Sequence, residues 1–180
     1  MNPRARLATS DGLRPGEVAL GVEPAPAPAN LYFIGRIFTP WATRGECPRR
    51  GDLAGPLCRV EIAEPWTEAL FGIEAFERLQ LLYWMHLARR DLVLQNPRRG
   101  DEVHGTFALR SPVRPNPIAS SIVALERVEG SSLFVRGLDC VDGTPLIDVK
   151  PEHCPRNLPA LPRATHALAP HHFASPRFVA

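Results

Sequence analysis

The sequence lacks the features of several common protein classes. It has no apolar run near the ~18 residues that a membrane-spanning helix needs. Its N-terminus has arginines but no apolar core followed by a cleavage site, so we do not expect a secretory signal. The formal net charge of +2 is too small to indicate nucleic-acid binding by itself. Any basic site must therefore come from local clustering of arginines.

The spacing of the metal-ligating and nucleophilic residues argues against several further kinds of site. The cysteines Cys47, Cys58, Cys140 and Cys154 are far apart and form no C-x-x-C pair, so neither a zinc site nor a disulfide framework is predicted. We interpret them as reduced thiols of a cytoplasmic protein. His171-His172 has no nearby partner ligand, and we predict no metal. No G-x-G-x-x-G follows a strand, and no Ser-His-Asp or Cys-His signature is visible.

The patterns that are present favour an all-β fold. Short segments rich in aromatic and β-branched residues, or alternating apolar and polar residues, are separated by turn signals. They are residues 31–38, 57–62, 76–87, 103–107, 121–128, 133–136 and 146–151. Residues 77–82 also fit a helix, but their aromatic and leucine-rich surroundings favour a strand. With one helical turn after Pro65, six to seven strands predict a small barrel or sandwich.

Proline divides the chain into three parts. Residues 1–29 are rich in proline and alanine and have no periodicity, so they are predicted to be a disordered tail or an arm docked on another subunit. Residues 153–180 are a second tail without a pattern. The domain proper is expected to span residues 30–152.

The most unusual segment is the proline loop, defined as Gly105–Ile118. Its three prolines at positions 112, 115 and 117 fix the backbone and disfavour both a helix and a central strand. It carries Arg110 and Arg114, whose guanidiniums suit carboxylate or phosphate recognition, or are simply solvated. Arginines also gather in the first basic loop, defined as Thr43–Asp52, and in the predicted loop 88–102.

Three further polar residues are candidates for the site. Asp142 belongs to a D-G-T-P sequence, where turn formation is the favoured role because aspartate bonds its own backbone. Asp139 has less structural reason to be there, and an aspartate at a strand end can accept ribose hydroxyls. His86 ends a strand, where a lone histidine is more often a core or edge residue than a catalyst.

Two motifs together resemble one family. The pattern G-x-F-A-x-R-S-P-x-R-P-N-P-I at Gly105–Ile118 and L-D-x-x-D-G-T-P-x-x-D-x-K-P at 138–151 are similar to the TrmO family, also called TsaA-like or YaeB-like. The resemblance covers about residues 31–152. It implies a compact antiparallel barrel that works as a homodimer, with S-adenosylmethionine bound beside the subunit interface. It also implies methylation of N6-threonylcarbamoyladenosine next to the anticodon of tRNA.

Matching motif positions imply the site residues. The implied cofactor contacts are Pro48, Arg49, Arg50, His86, Leu87, Arg110, Ser120, Leu138, Asp139, Cys140, Val141 and Asp142. Arg114 and Asn116 are expected to shape the pocket or touch RNA. No residue is predicted as a catalytic base.

The sequence also departs from the family pattern. Arg50 stands where members usually carry glutamine, and Ala119-Ser120-Ser121 stands where Gly-Leu-Ser is usual. No recognisable C-terminal domain follows residue 152. These departures leave two alternatives open, namely a methyltransferase with a different acceptor and a non-catalytic module that binds S-adenosylmethionine.

Overall fold

The computed structural model describes residues 12–21, 30–97 and 102–153. Most of the predicted N-terminal arm and almost all of the predicted C-terminal tail lie outside these residues. So do Arg98, Arg99, Cys154 and His171-His172.

Within the described residues, six of the nine strands close into an antiparallel barrel. The strands are β1 (Val18–Ala19), β2 (Gly35–Phe38), β3 (Cys58–Ile62), β4 (Arg78–Trp84), β5 (Leu92–Gln95), β6 (His104–Gly105), β7 (Ile118–Glu129), β8 (Ser132–Arg136) and β9 (Thr144–Pro151). The barrel order is β2-β3-β8-β7-β4-β9. The prediction of a small all-β barrel is therefore confirmed.

Alternation along the strands fills the barrel interior. On β4, Leu79, Leu81 and Tyr83 are buried, whereas the intervening side chains are only half-buried. The period of two gives the strand one inward and one outward face. The buried core continues across the other strands, with Ile37, Val60, Ile62, Val123, Leu133, Val135, Leu138, Cys140 and Leu146 among its members.

A second, three-stranded sheet lies beside the barrel in the order β1-β5-β6. Strand β5 falls within residues predicted to be a loop, and β1 falls within the predicted N-terminal arm. Residues 12–21 are held by side chains: Arg14 Nη1 donates to the Asn96 carbonyl at 2.8 Å, and Glu17 Oε1 accepts the Asn96 N–H at 3.0 Å. These partners are about 80 residues apart in the chain, so no local pattern could predict the pairing.

The remaining differences concern element ends. The helical turn after Pro65 is present as two short 3-10 helices, Thr67–Leu70 and Ile73–Ala75, and a third covers Thr106–Ala108. Strand β7 begins at Ile118 rather than Ser121, so Ser120 lies within a strand. No helix in the described ranges is long and apolar enough to cross a membrane.

Candidate functional site

An open cleft lies where β4 leaves the barrel. It has a volume of about 280 Å³, which includes space open to solvent. Its lining residues are Arg44, Met85, His86, Leu87, Ala88, Pro112, Val141 and Thr144. The cleft therefore joins five segments: the first basic loop, the residues that follow β4, the proline loop, the aspartate turn, defined as residues 138–143, and the start of β9.

The four residues that follow β4, Met85–Ala88, line the cleft. The Met85 N–H donates to the Pro117 carbonyl at 2.8 Å, which ties the strand end to the proline loop. The Ala88 N–H donates to the Met85 carbonyl at 2.9 Å, so the chain turns and leaves His86 and Leu87 exposed at the rim. Arg44 Nη1 lies 3.3 Å from the Leu87 carbonyl and joins the first basic loop to this rim.

Side chains from outside the proline loop and from within it donate hydrogen bonds to its backbone carbonyls. Gln95 Nε2 donates to the Val113 carbonyl at 2.8 Å, and Arg90 Nε donates to the Pro115 carbonyl at 2.7 Å. Arg114 donates to the carbonyls of Ser111 and Leu109, so its guanidinium shapes the loop itself. Arg110 is exposed and makes no hydrogen bond or ion pair with the residues described. The second sheet, which supplies Gln95, thus positions Pro112 at the cleft.

The aspartate turn forms another wall. Asp142 Oδ1 accepts the Thr39 N–H at 3.0 Å, and the Asp142 N–H donates to the Trp41 carbonyl at 2.8 Å. The Asp142 carboxylate therefore stabilises the backbone, in agreement with the turn-forming role that the sequence favoured. Leu138 and Cys140 are buried in the barrel core, so any ligand contact from them would be made by backbone atoms. Val141 faces the cleft.

Two glycines bring the first basic loop against the aspartate turn. A side chain at Gly51 would overlap the Gly137 carbonyl oxygen, so the two backbones touch directly. Gly137 has a φ of 109°, which side chains rarely allow. This contact places Pro48–Arg50 beside the aspartate turn.

Asp139 lies in a group of protonated side chains. Tyr83 Oη is 2.7 Å from Asp139 Oδ1 and 2.8 Å from Ser121 Oγ. Burial, and then the Asp139 charge, raises the pKa of Tyr83 well above its usual range. Burial raises the pKa of Cys140 to about 12, and burial followed by the charges of Asp139 and Glu46 raises the pKa of Cys47.

The structure brings only some of the predicted cofactor contacts together at the cleft. His86, Leu87 and Val141 line it, whereas the exposed residues Arg49, Arg50, Arg110 and Asn116 do not, nor does the half-buried Pro48. Ser120 lies exposed on the outer face of the barrel, where its Oγ accepts a hydrogen bond from Gln80 Nε2 at 2.9 Å. The roles assigned to all of these residues stay predictions.

The cleft also contains residues that the sequence did not single out. They are Arg44, Met85, Ala88, Pro112 and Thr144. Arg44 and Pro112 belong to loops already noted for their charge or rigidity, which was the available signal. In the ranges described, no group of three or more His, Cys, Asp and Glu residues is placed to bind a metal ion.

Together, these features define a small antiparallel β-barrel protein with an open cleft at one end. Residues 36–155 match the family model described as the tRNA-methyltransferase O N-terminal domain. The chain belongs to this TrmO family.

Relatives and solved structures agree with this assignment. The chain is 53% identical over 152 residues to the "Probable S-adenosyl-L-methionine-binding protein VirR" of Rhizobium radiobacter, covering 84% of this chain and 86% of that protein. It is 38% identical over 120 residues to the "S-adenosyl-L-methionine-binding protein" of Archaeoglobus fulgidus, covering 67% and 86%. A crystal structure of TrmO from Pseudomonas aeruginosa has a TM-score of 0.57 at 34% identity.

The similarity to solved TrmO structures is partial in length. The alignment covers 69% of this chain and 55% of the Pseudomonas aeruginosa chain. A second TrmO crystal structure has a TM-score of 0.59 at 32% identity, covering 81% of this chain and 66% of that chain. This chain thus spans between about half and two thirds of those proteins.

Proposed function

We propose that this chain is an S-adenosylmethionine-dependent methyltransferase that acts on N6-threonylcarbamoyladenosine beside the tRNA anticodon. The observation that carries the proposal is the cleft, where the two family motifs meet through Pro112 and Val141. Family membership supports the methyltransferase class. In this proposal residues 30–152 form the catalytic domain, and the protein acts on tRNA in the cytoplasm.

The residues around the cleft fit an adenosyl sulfonium compound. Met85, Leu87 and Val141 supply apolar walls, which suit an adenine ring. Arg44 is the cation at the rim and can hold the cofactor carboxylate through charge-assisted hydrogen bonds. Asp139, half-buried beside the cleft, can accept ribose hydroxyls.

When bound, the cofactor supplies an electrophilic methyl group that is transferred to the acceptor nitrogen by in-line displacement. This chemistry depends mainly on positioning, and no elaborate acid–base pair is required. The role of the chain's own residues is therefore to hold the two reactants, orient them and keep water away. No side chain is assigned as a base.

The openness of the cleft favours a homodimer. Its volume of about 280 Å³ includes space open to solvent, so one chain encloses less than the roughly 300–1,000 Å³ that is typical of small-molecule pockets. A second subunit placed over the rim would deepen the site. Ser120, on the outer face of the barrel, would then reach the cofactor of its partner rather than its own.

Exposed arginines provide a surface for RNA. Arg49, Arg50 and Arg110 are exposed near the cleft segments and carry charge that the described part of the protein does not neutralise. Guanidiniums on a surface bind the phosphates of nucleic acids and make affinity depend on salt. This clustering supports a nucleic-acid partner despite a net charge of only +2.

A non-catalytic binding module is the second candidate. It is favoured by the names of the relatives cited above, which specify binding rather than catalysis. A methyltransferase with another acceptor also stays open, because the departures at Arg50 and Ala119 lie in segments that would contact the ligands.

Two experiments test the proposed function. Calorimetric titration with S-adenosylmethionine is expected to show saturable binding, and no heat at millimolar cofactor would exclude all three candidates. Mass analysis of tRNA nucleosides from a deletion strain is expected to show that methylated threonylcarbamoyladenosine is missing, and that the wild-type gene restores it. Its persistence, with cofactor binding intact, would leave another acceptor or a binding role.

A further inference from the structure

A hydrogen-bonded chain of three side chains runs from the barrel interior to the aspartate turn. Tyr83 is the last inward-facing residue of β4, and its side chain is only 1% exposed. Its hydroxyl oxygen is 2.7 Å from Asp139 Oδ1 and 2.8 Å from Ser121 Oγ, on β7. The three residues come from three separate segments, so their meeting is a tertiary feature.

The direction of these hydrogen bonds follows from their chemistry. An ionised carboxylate only accepts, so the single phenolic proton of Tyr83 is donated to Asp139. Ser121 must then donate its own proton to the Tyr83 oxygen. Asp139 Oδ1 is thereby occupied, whereas Oδ2 makes no hydrogen bond with the residues described.

Burial keeps the side chains around Asp139 from ionising. Tyr83, Cys47 and Cys140 all have pKa values raised above their ordinary ones, with burial as the largest cause. They therefore stay protonated at neutral pH. A phenol that cannot ionise is a constant donor, and a buried hydroxyl would be costly without these two bonds.

We propose that Tyr83 is a positioning residue, which fixes Asp139 Oδ1 so that Oδ2 accepts the ribose hydroxyls of the adenosyl cofactor. The inference rests on the proposed function, because it requires an adenosyl ligand. Asp139 does not itself line the cleft, but it is only half-buried, and Val141, two residues further along the aspartate turn, does line it. A purely structural tyrosine would stabilise the barrel without affecting which ligand hydroxyls are recognised.

The test compares two nucleosides as competitors of S-adenosylhomocysteine binding. Adenosine carries both ribose hydroxyls and 2',3'-dideoxyadenosine carries neither. Hydrogen bonds to a charged group predict that the wild-type protein prefers adenosine by about tenfold or more. Tyr83→Phe is expected to lower that preference to about threefold or less, and Asp139→Asn to lower it as well, because a neutral amide is a weaker partner for ribose hydroxyls than a carboxylate. Tyr32→Phe, which changes the chain's other tyrosine at an exposed position, should keep the wild-type ratio.

Each outcome decides the proposal. If Tyr83→Phe weakens both competitors equally and lowers the melting temperature, the role is structural and the proposal fails. If either Tyr83→Phe or Asp139→Asn keeps the wild-type preference for adenosine, the proposal also fails. Asp139→Asn provides this test if Tyr83→Phe does not fold. If the wild-type protein binds S-adenosylhomocysteine but shows no preference, only this inference fails. If it binds no adenosyl ligand, the proposed function fails with it.

Discussion

At the scale of single residues, Arg44 is the cation that the structure adds to the predicted site. Its guanidinium contacts the Leu87 carbonyl and Arg44 lines the cleft, whereas the exposed Arg49 and Arg50 do not line it. Sequence could identify the first basic loop but not which of its arginines faces the ligand, because that depends on how the loop folds against the end of β4.

We expect Arg44→Met to weaken S-adenosylhomocysteine about tenfold, because a charge-assisted bond to the carboxylate is lost. Binding of 5'-methylthioadenosine, which has no carboxylate, should change less than about twofold. Titration calorimetry of both ligands gives the two ratios. Arg78→Met, at the far end of β4, is the matched control. Equal weakening of both ligands would show that Arg44 does not bind the carboxylate.

The buried thiols predict how stability depends on alkaline pH. Burial raises the pKa of Cys140 from its ordinary value of 9.0 to about 12. Above pH 9 the unfolded chain releases this proton while the folded protein keeps it, so ionisation lowers the free energy of the unfolded state relative to the folded one. The stabilisation is complete below pH 9 and is lost as the pH rises toward 12.

Urea unfolding at pH 8 and pH 10 measures this effect. The drop in the free energy of unfolding between these pH values should be smaller in Cys140→Ala than in the wild-type protein, by about 1 kcal/mol. Any cavity cost of the substitution is the same at both pH values and cancels. Identical drops would mean that the thiol is not kept protonated by the fold.

At the scale of elements, the strands of the barrel were predictable because their alternation is local. Leu79, Leu81 and Tyr83 are spaced by two and all point inward. Strand β5 was missed because its burial pattern does not alternate, and β1 because it has two residues and is held by distant side chains. The Tyr83–Asp139 bond was also out of reach, since it joins residues that are 56 positions apart.

The contact between Gly51 and Gly137 gives a prediction for two loops. Gly51→Ala places a methyl group against the Gly137 carbonyl oxygen and forces the first basic loop away from the aspartate turn. We expect a loss of stability of about 1–3 kcal/mol, as for other overpacked sites, and weaker binding of S-adenosylhomocysteine. Urea unfolding and calorimetry measure the two effects.

Gly45→Ala is the matched control within the same loop. A methyl group there would have Thr43 Oγ1 as its nearest neighbour, at 3.9 Å, which is an ordinary contact. The control should therefore bind like the wild-type protein. If the two variants behave alike, the close approach of the loops has no role in the site.

At the scale of the whole molecule, the barrel and the second sheet act together to build the cleft. Strand β9 closes the barrel between β2 and β4, and Thr144 at its start lines the cleft. The second sheet supplies Gln95, which holds the proline loop. Ser120 is a predicted cofactor contact, but it lies on the outer face of the barrel and does not line the cleft of its own chain.

A mixing experiment tests whether the site is shared between two copies of the chain. Arg44→Met damages the cleft, and Ser120→Trp is expected to block the site of the partner subunit. In a symmetric dimer the same surface patch of each subunit meets the other, so a mixed dimer has one site with both defects and one site with neither. Random mixing makes half of the dimers mixed, so about a quarter of the sites should regain wild-type affinity for S-adenosylhomocysteine. If Ser120 acts within its own chain, every site keeps a defect and mixing restores nothing. Sedimentation of the wild-type protein and of each variant must first show dimers. A monomeric wild-type protein would exclude a shared site.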